Sequence, residues 1–230
     1  GSEMCIRDSL YSGNGSLWSK IMTMDYIRRG LPIPVGEGRE ISGYEGAISV
    51  CRRTGIFGKT AKLDVVSLYP NIIVQHNICS DRDYAKLMPI WVKKLLDERV
   101  KLKKLAKETG DPMLDARQNA LKVIINSAYG FLGTSGLYWS YEPAAAAVTK
   151  HGREVLRRLE EMVSVHHVPI ELDTDGILFA LNEKGMDSEL LRNQIEQEIG
   201  YKLDLELYDA CISVSAKNYA LMSGDKVTIK

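Results

Sequence analysis

The sequence predicts an α+β fold: an antiparallel sheet packed with helices, plus a projecting pair of antiparallel helices. Three stretches carry that prediction. The amphipathic segments Trp91–Lys107 and Asp111–Tyr129 meet at a tight Gly-Asp-Pro turn and read as a helical hairpin. The apolar, β-rich runs Val168–Leu172 and Ile177–Leu181 flank Asp173-Thr174-Asp175-Gly176 and read as a β-hairpin with acids at its tip. Finally, Tyr201, Leu203, Leu205 and Leu207 alternate with Lys202, Asp204 and Glu206, as in a strand buried on one face.

The other elements follow in order. Residues 1–16 have no periodicity and read as a leader without structure. Residues 17–29 have helical character that Gly30 and Pro32-Ile33-Pro34 end, and the Gly-rich run from Val35 to Gly46 reads as a linker. Strands are expected near Ala47–Cys51 and Ala61–Val66, with a helix from Asn71 to His76. Asp111 and Pro112 suit the cap and first turn of the second long helix. A further helix starts near Glu142-Pro143, another spans Asp187–Ile199, and a last hairpin turns at Ser223-Gly224-Asp225.

A chain of 230 residues can bury one core, or one core plus a projecting subdomain. Thirty basic and thirty acidic side chains cancel, so net charge points to no partner. Their distribution is uneven. From Lys93 to Glu108 there are seven Lys/Arg against three acids, and from Asp187 to Asp209 seven acids against two bases. Such a basic helix can bind phosphates locally, although a solvated helix surface has the same look. Four scattered cysteines without a C-x-x-C pair argue against a zinc or disulfide framework. No apolar run approaches a membrane span.

Asp64 ends a strand, and Asp173 and Asp175 lie two apart at a hairpin tip, able to face one partner. Like charges gathered there need a cation, and oxygen-only donors favour magnesium or manganese. The same D-x-D pair also suits an ordinary turn. On the helical hairpin, Lys122, Asn126 and Tyr129-Gly130 share one face by spacing, as do Arg99 and Lys103 on the first helix. Folding of the hairpin is expected to bring Arg99, Lys103 and Lys122 towards one space, as a cage for a triphosphate, although each alone suits a solvated surface.

These segments together resemble the B-family DNA polymerases, in the same order along the chain. Asp64-Val65-Val66-Ser67-Leu68-Tyr69-Pro70 resembles the first palm motif, D-x-x-S-L-Y-P, and Lys122 to Gly130 resembles the fingers motif K-x-x-x-N-S-x-Y-G. Asp173-Thr174-Asp175 resembles the D-T-D motif, with Gly176 for the usual serine and Glu171-Leu172 for the usual Tyr-Gly. Tyr44-Glu45-Gly46-Ala47 and Lys217-Asn218-Tyr219 resemble the Y-x-G-G/A and K-x-Y elements.

The resemblance implies a template-directed DNA polymerase core that extends a primer 3′ end with two magnesium ions, manganese being an alternative. It implies that Asp64, Asp175 and the Val65 carbonyl hold metal, with Asp173 in support. Ser67, Leu68 and Tyr69 are implied to line the nucleotide, the Tyr69 ring excluding a 2′-hydroxyl. Arg99, Lys103, Lys122 and Asn126 are implied to hold the triphosphate, with Tyr129 beside the nascent pair. Tyr44, Gly46, Lys217 and Tyr219 are implied to contact primer and DNA.

The organisation it implies is a leader at 1–16, a linker at 17–46, palm at 47–90 and 132–230, and fingers at 91–131. No D-x-E exonuclease motif lies in residues 1–60 and no room is left for a thumb, so a fragment is expected. Expected partners are primer-template DNA, dNTPs, and a processivity factor or the missing polymerase domains, with no membrane. The expected location is cytoplasmic, in a nucleoid or viral replication setting. The alternative is a non-catalytic relative kept for nucleic-acid binding or assembly.

Overall fold

The structure, a computed structural model, describes residues 13–230. The expected leader therefore lies mostly outside the described residues. Backbone contacts divide the chain into two units. The first comprises residues 13–45 and Tyr69–Val148, and the second Gly46–Leu68 and Thr149–Lys230.

In the first unit, α1 (Asn14–Arg28) starts at Asn14, upstream of the expected boundary at 17. Its anchor is Trp18, fully buried, whose indole N–H donates to the Ile124 carbonyl at 3.0 Å and the Ser127 hydroxyl at 3.2 Å. Helix α2 (Leu68–Gln75) begins at the unit boundary. The long helices α3 (Leu87–Thr109) and α4 (Pro112–Leu132) pack together across Gly110 and Asp111. Gly110 adopts φ +68°, a left-handed stop that a side chain would strain, and Asp111 accepts from the Met113 amide to cap α4.

Helix α3 has no cap of its own, because Lys86 at that position makes no side-chain bond. Buried Asp83 replaces it, accepting from the Leu87 and Met88 amides at 2.9 Å each and from the Tyr26 hydroxyl at 2.7 Å. An anion at a helix N-terminus satisfies orphan amides and complements the dipole. The lysine-rich helix is thus anchored from its buried end.

The second unit contains the two sheets. One has strand order β1-β4-β5-β3-β6, from β1 (Ser49–Cys51), β3 (Thr60–Val65), β4 (Val168–Asp173), β5 (Gly176–Ala180) and β6 (Leu203–Tyr208). The other has order β2-β7-β8-β9, from β2 (Gly55–Phe57), β7 (Ala210–Ser215), β8 (Asn218–Ser223) and β9 (Lys226–Ile229). All pairings are antiparallel. An apolar cluster of Ile170, Leu178, Cys211, Tyr219 and Leu221 draws on both sheets. Helix α5 (Glu142–His166) enters this unit at Thr149, and α6 (Ser188–Ile199) is capped by Asp187, which accepts from the Glu189 and Leu190 amides.

The α+β class holds. One strand departs from its expected pattern: on β6 Leu203 is buried but Leu207 is 57% exposed, while Tyr208 packs against the inter-sheet cluster. Among the described residues no helix is long and apolar enough to cross a membrane, and Cys51, Cys79 and Cys211 are free thiols.

Candidate active site

The acidic candidates Asp64, Asp173 and Asp175 all lie in the second unit. Strand β3 sits between β5 and β6, and its register places Asp64 opposite Gly176 on one side and Asp204 on the other. The β4–β5 hairpin closes through Thr174 and Asp175, with Asp173 opposite Gly176 and Thr174 at φ +54°. The turn is tied to β3 by the Val65 amide, which donates to the Asp175 carbonyl at 2.7 Å. Loss of hydration, then the Asp64 charge, push the Asp175 carboxyl above its usual range, and Lys62 opposes this. The Val65 bond sets the turn that holds Asp175 against β3 beside Asp64.

Gly176 permits that proximity. A Cβ there would run into the Asp64 carboxylate and lie 2.8 Å from the Leu63 carbonyl oxygen. The glycine in place of the family's serine is a close-approach position rather than a neutral change.

Two lysines also reach the acids. Lys62 places Nζ 2.5 Å from Asp64 Oδ2, and Lys217 places Nζ 3.2 Å from Asp173 Oδ1. Among the described residues no three acidic, histidine or cysteine side chains stand grouped as metal ligands. The three acids share one region, but two of them point at lysines. Their donor set still fits a hard divalent ion, being oxygens only.

Tyr44, Tyr69, Tyr129 and the candidates on the two long helices lie in the first unit. Glu142 accepts from the Ser42 and Gly43 amides at 2.6 and 3.2 Å and from the Ser42 hydroxyl, fixing the loop that presents Tyr44. Those bonds hold the Glu142 carboxyl below its usual range. The Tyr44 hydroxyl donates to the Tyr129 hydroxyl at 2.9 Å, and burial, then that bond, raise it above the usual phenol range. The Tyr129 ring lies 6.5 Å from that of Tyr44 and 4.8 Å from that of Tyr69. The sequence motifs thus meet as a three-tyrosine cluster. Gly133 admits it, because a Cβ there would strike the Tyr44 hydroxyl.

Lys122 and Asn126 are exposed on α4, and on α3 Lys103 is exposed and Arg99 half-buried. Lys93, Lys94 and Lys101 line a separate shallow groove with Ile90, Asp97 and Glu98. At about 100° per residue, that groove lies roughly opposite Arg99 and Lys103 on the helix.

Other expected residues have narrower roles open to them. Leu68 is 2% exposed and offers only backbone, while Ser67 takes an uncommon φ of +51°. Tyr219 is 3% exposed, and burial raises its hydroxyl to about 12. Gly46 accepts from Arg153 at 2.7 Å through its carbonyl. Sequence reasoning missed Lys62, although its position two residues before Asp64 on a strand puts both on one face. It also missed Asp204, since register is not legible from a single strand.

The family model described as DNA polymerase family B matches residues 80–189. The DNA polymerase of Thermococcus sp. (strain 9oN-7) is 30% identical over 84% of this chain and 29% of its own length. That of Pyrococcus glycovorans is 32% identical over 81% of this chain and 28% of its own length. The DNA polymerase alpha catalytic subunit of Xenopus laevis is 30% identical over 81% of this chain and 15% of its own. The structure of the family B DNA polymerase from the archaeon Pyrobaculum calidifontis matches 95% of this chain and 33% of its own, with a TM-score of 0.70 at 25% identity. The chain spans less than a third of the length of the first relatives.

Proposed function

The chain belongs to DNA polymerase family B, and on that premise we propose that it extends a primer 3′ end with deoxynucleotides copied from a DNA template. One observation carries the reading: the Val65 amide donates to the Asp175 carbonyl at 2.7 Å, which ties the turn that holds Asp175 to β3 beside Asp64. Placing like charges together is costly, and a divalent cation offsets the cost.

Asp64, Asp175 and the Val65 backbone are the proposed holders of magnesium or manganese, with Asp173 in support. Such an ion, when bound, favours the ionised primer hydroxyl and offsets charge on the triphosphate. The remaining work is positioning, as phosphoryl transfer requires. Lys122, Asn126, Arg99 and Lys103 hold phosphate oxygens, and the Ser67 and Leu68 backbone borders the nucleotide. Tyr69 lies under the sugar and leaves no room for a 2′-hydroxyl, its ring steadied by Tyr129 and, through it, by Tyr44. Lys217 meets the primer end, with Tyr219 as its buried support. The attacking atom is the primer 3′-oxygen, which forms a bond to the α-phosphorus as pyrophosphate leaves. The second unit serves as palm, and the pair α3–α4 as fingers.

A second reading, a non-catalytic relative that binds nucleic acid, is favoured by the lysines that face Asp64 and Asp173. Template-dependent primer extension with dNTPs and magnesium or manganese decides between them. The polymerase reading expects extension by the parent and none by Asp64→Ala. Inactivity of the parent with intact primer-template binding supports the second reading instead.

A further inference from the structure

Glu171 stands on β4 where the family pattern has the first residue of its Tyr-Gly pair. Its side chain is 2% exposed, and its register neighbours are Cys51 and Leu178. Leu178 belongs to the inter-sheet cluster, and so does Cys211, whose thiol is pushed up to about 11 by burial and then by the Glu171 charge. A carboxylate among such neighbours weakens the fold unless its bonds compensate. Glu171 accepts one, from the Lys217 amide at 2.8 Å, and its Oε2 has no hydrogen-bond partner. Stability alone therefore does not account for an acid at this position.

The bond leads to the turn between β7 and β8. Lys217 adopts φ +61°, uncommon for a side-chain-bearing residue, so something must hold it. Its backbone is held by Glu171 and its ammonium lies 3.2 Å from Asp173 Oδ1. Both partners come from one strand, two residues apart. The pairing is irregular on both sides of this contact, between Pro169 and Glu171 on β4 and between Ser213 and Ser215 on β7. Bulges of this kind re-aim side chains that a regular ladder would turn away.

We propose that Glu171 is a positioning residue, which fixes the Lys217 turn to the acidic hairpin through the Lys217 amide and so sets where Lys217 meets the primer end. The role at the primer rests on the polymerase reading; the strut itself does not.

Two variants of the full chain test it. Glu171→Leu removes the acceptor and suits the apolar cluster, so it should fold with an unchanged or higher thermal midpoint. Glu171→Gln keeps a carbonyl acceptor. In Glu171→Leu, Lys217 amide hydrogen exchange should quicken and primer-template affinity, read by fluorescence anisotropy, should fall about tenfold, the scale of one lost charge-assisted bond. Glu171→Gln should restore both to about twofold of the parent. Unchanged Lys217 exchange in Glu171→Leu overturns the strut. Faster exchange with parental primer affinity overturns the positioning role. If the parent binds no primer-template, the polymerase reading fails, and the exchange result still decides the strut.

Discussion

Lys62 is the residue through which the metal binding proposed at Asp64 is most directly adjustable. Its ammonium lies 2.5 Å from Asp64 Oδ2, with side chains 16% and 28% exposed. At that distance the Coulomb attraction is about 1.7 kcal/mol in a water-like dielectric and about 7 kcal/mol at an effective dielectric of about 20. Desolvation of the two ions cancels most of the larger figure, leaving a net ion pair of about 1–2 kcal/mol. A divalent ion that uses Asp64 must displace Lys62 and so loses that amount. Lys62→Met keeps the stem and removes the competitor, which should tighten manganese binding by about fivefold to thirtyfold. Manganese titration followed by electron paramagnetic resonance, on parent and variant at neutral pH and fixed ionic strength, reads this directly. Equal or weaker binding by Lys62→Met would refute the competition.

Three further outcomes follow from neighbouring contacts. Gly176→Ser must separate β3 from β5 to clear the Leu63 carbonyl and the Asp64 carboxylate, costing about 1–3 kcal/mol as for an overpacked site and weakening manganese binding; a parental melt and titration would contradict this. Asp83→Ala strands the Leu87 and Met88 amides and the Tyr26 hydroxyl, so urea unfolding should show a loss of about 3 kcal/mol, and a loss under 1 would contradict the anchor role. Asp175 has a raised folded-state pKa, so its favourable contribution is complete below the ordinary value of 3.8 and is lost as pH rises through the raised value. Thermal midpoints of metal-free protein across that window should therefore fall less in Asp175→Asn than in the parent, and parallel curves would contradict the shift.

Features governed by local patterning were legible in the sequence. The β4–β5 hairpin follows from two apolar runs around Asp173-Thr174-Asp175, and the α3–α4 turn from Gly110, Asp111 and Pro112. Features that depend on partners distant in sequence were not. Strand β2 is only Gly55–Phe57, too short for a period to show, and its place is set by β7 some 155 residues later. Asp83 caps α3 from a loop, and no local cap residue announces it. The motifs identified Tyr44, Tyr69 and Tyr129 separately, whereas their tilted and edge-on ring contacts and the hydroxyl bond come from packing. Leu68 and Tyr219 are likewise core positions as well as motif positions, which the motifs alone do not reveal.

The central claim, that Asp64 and Asp175 serve template-directed nucleotide addition, is tested most directly by measuring pyrophosphate release alongside primer elongation. With magnesium or manganese and the dNTP complementary to the template, the parent should release one pyrophosphate per nucleotide added, and Asp64→Ala should do neither. Elongation that ignores the template base, or that persists in Asp64→Ala, would contradict the account.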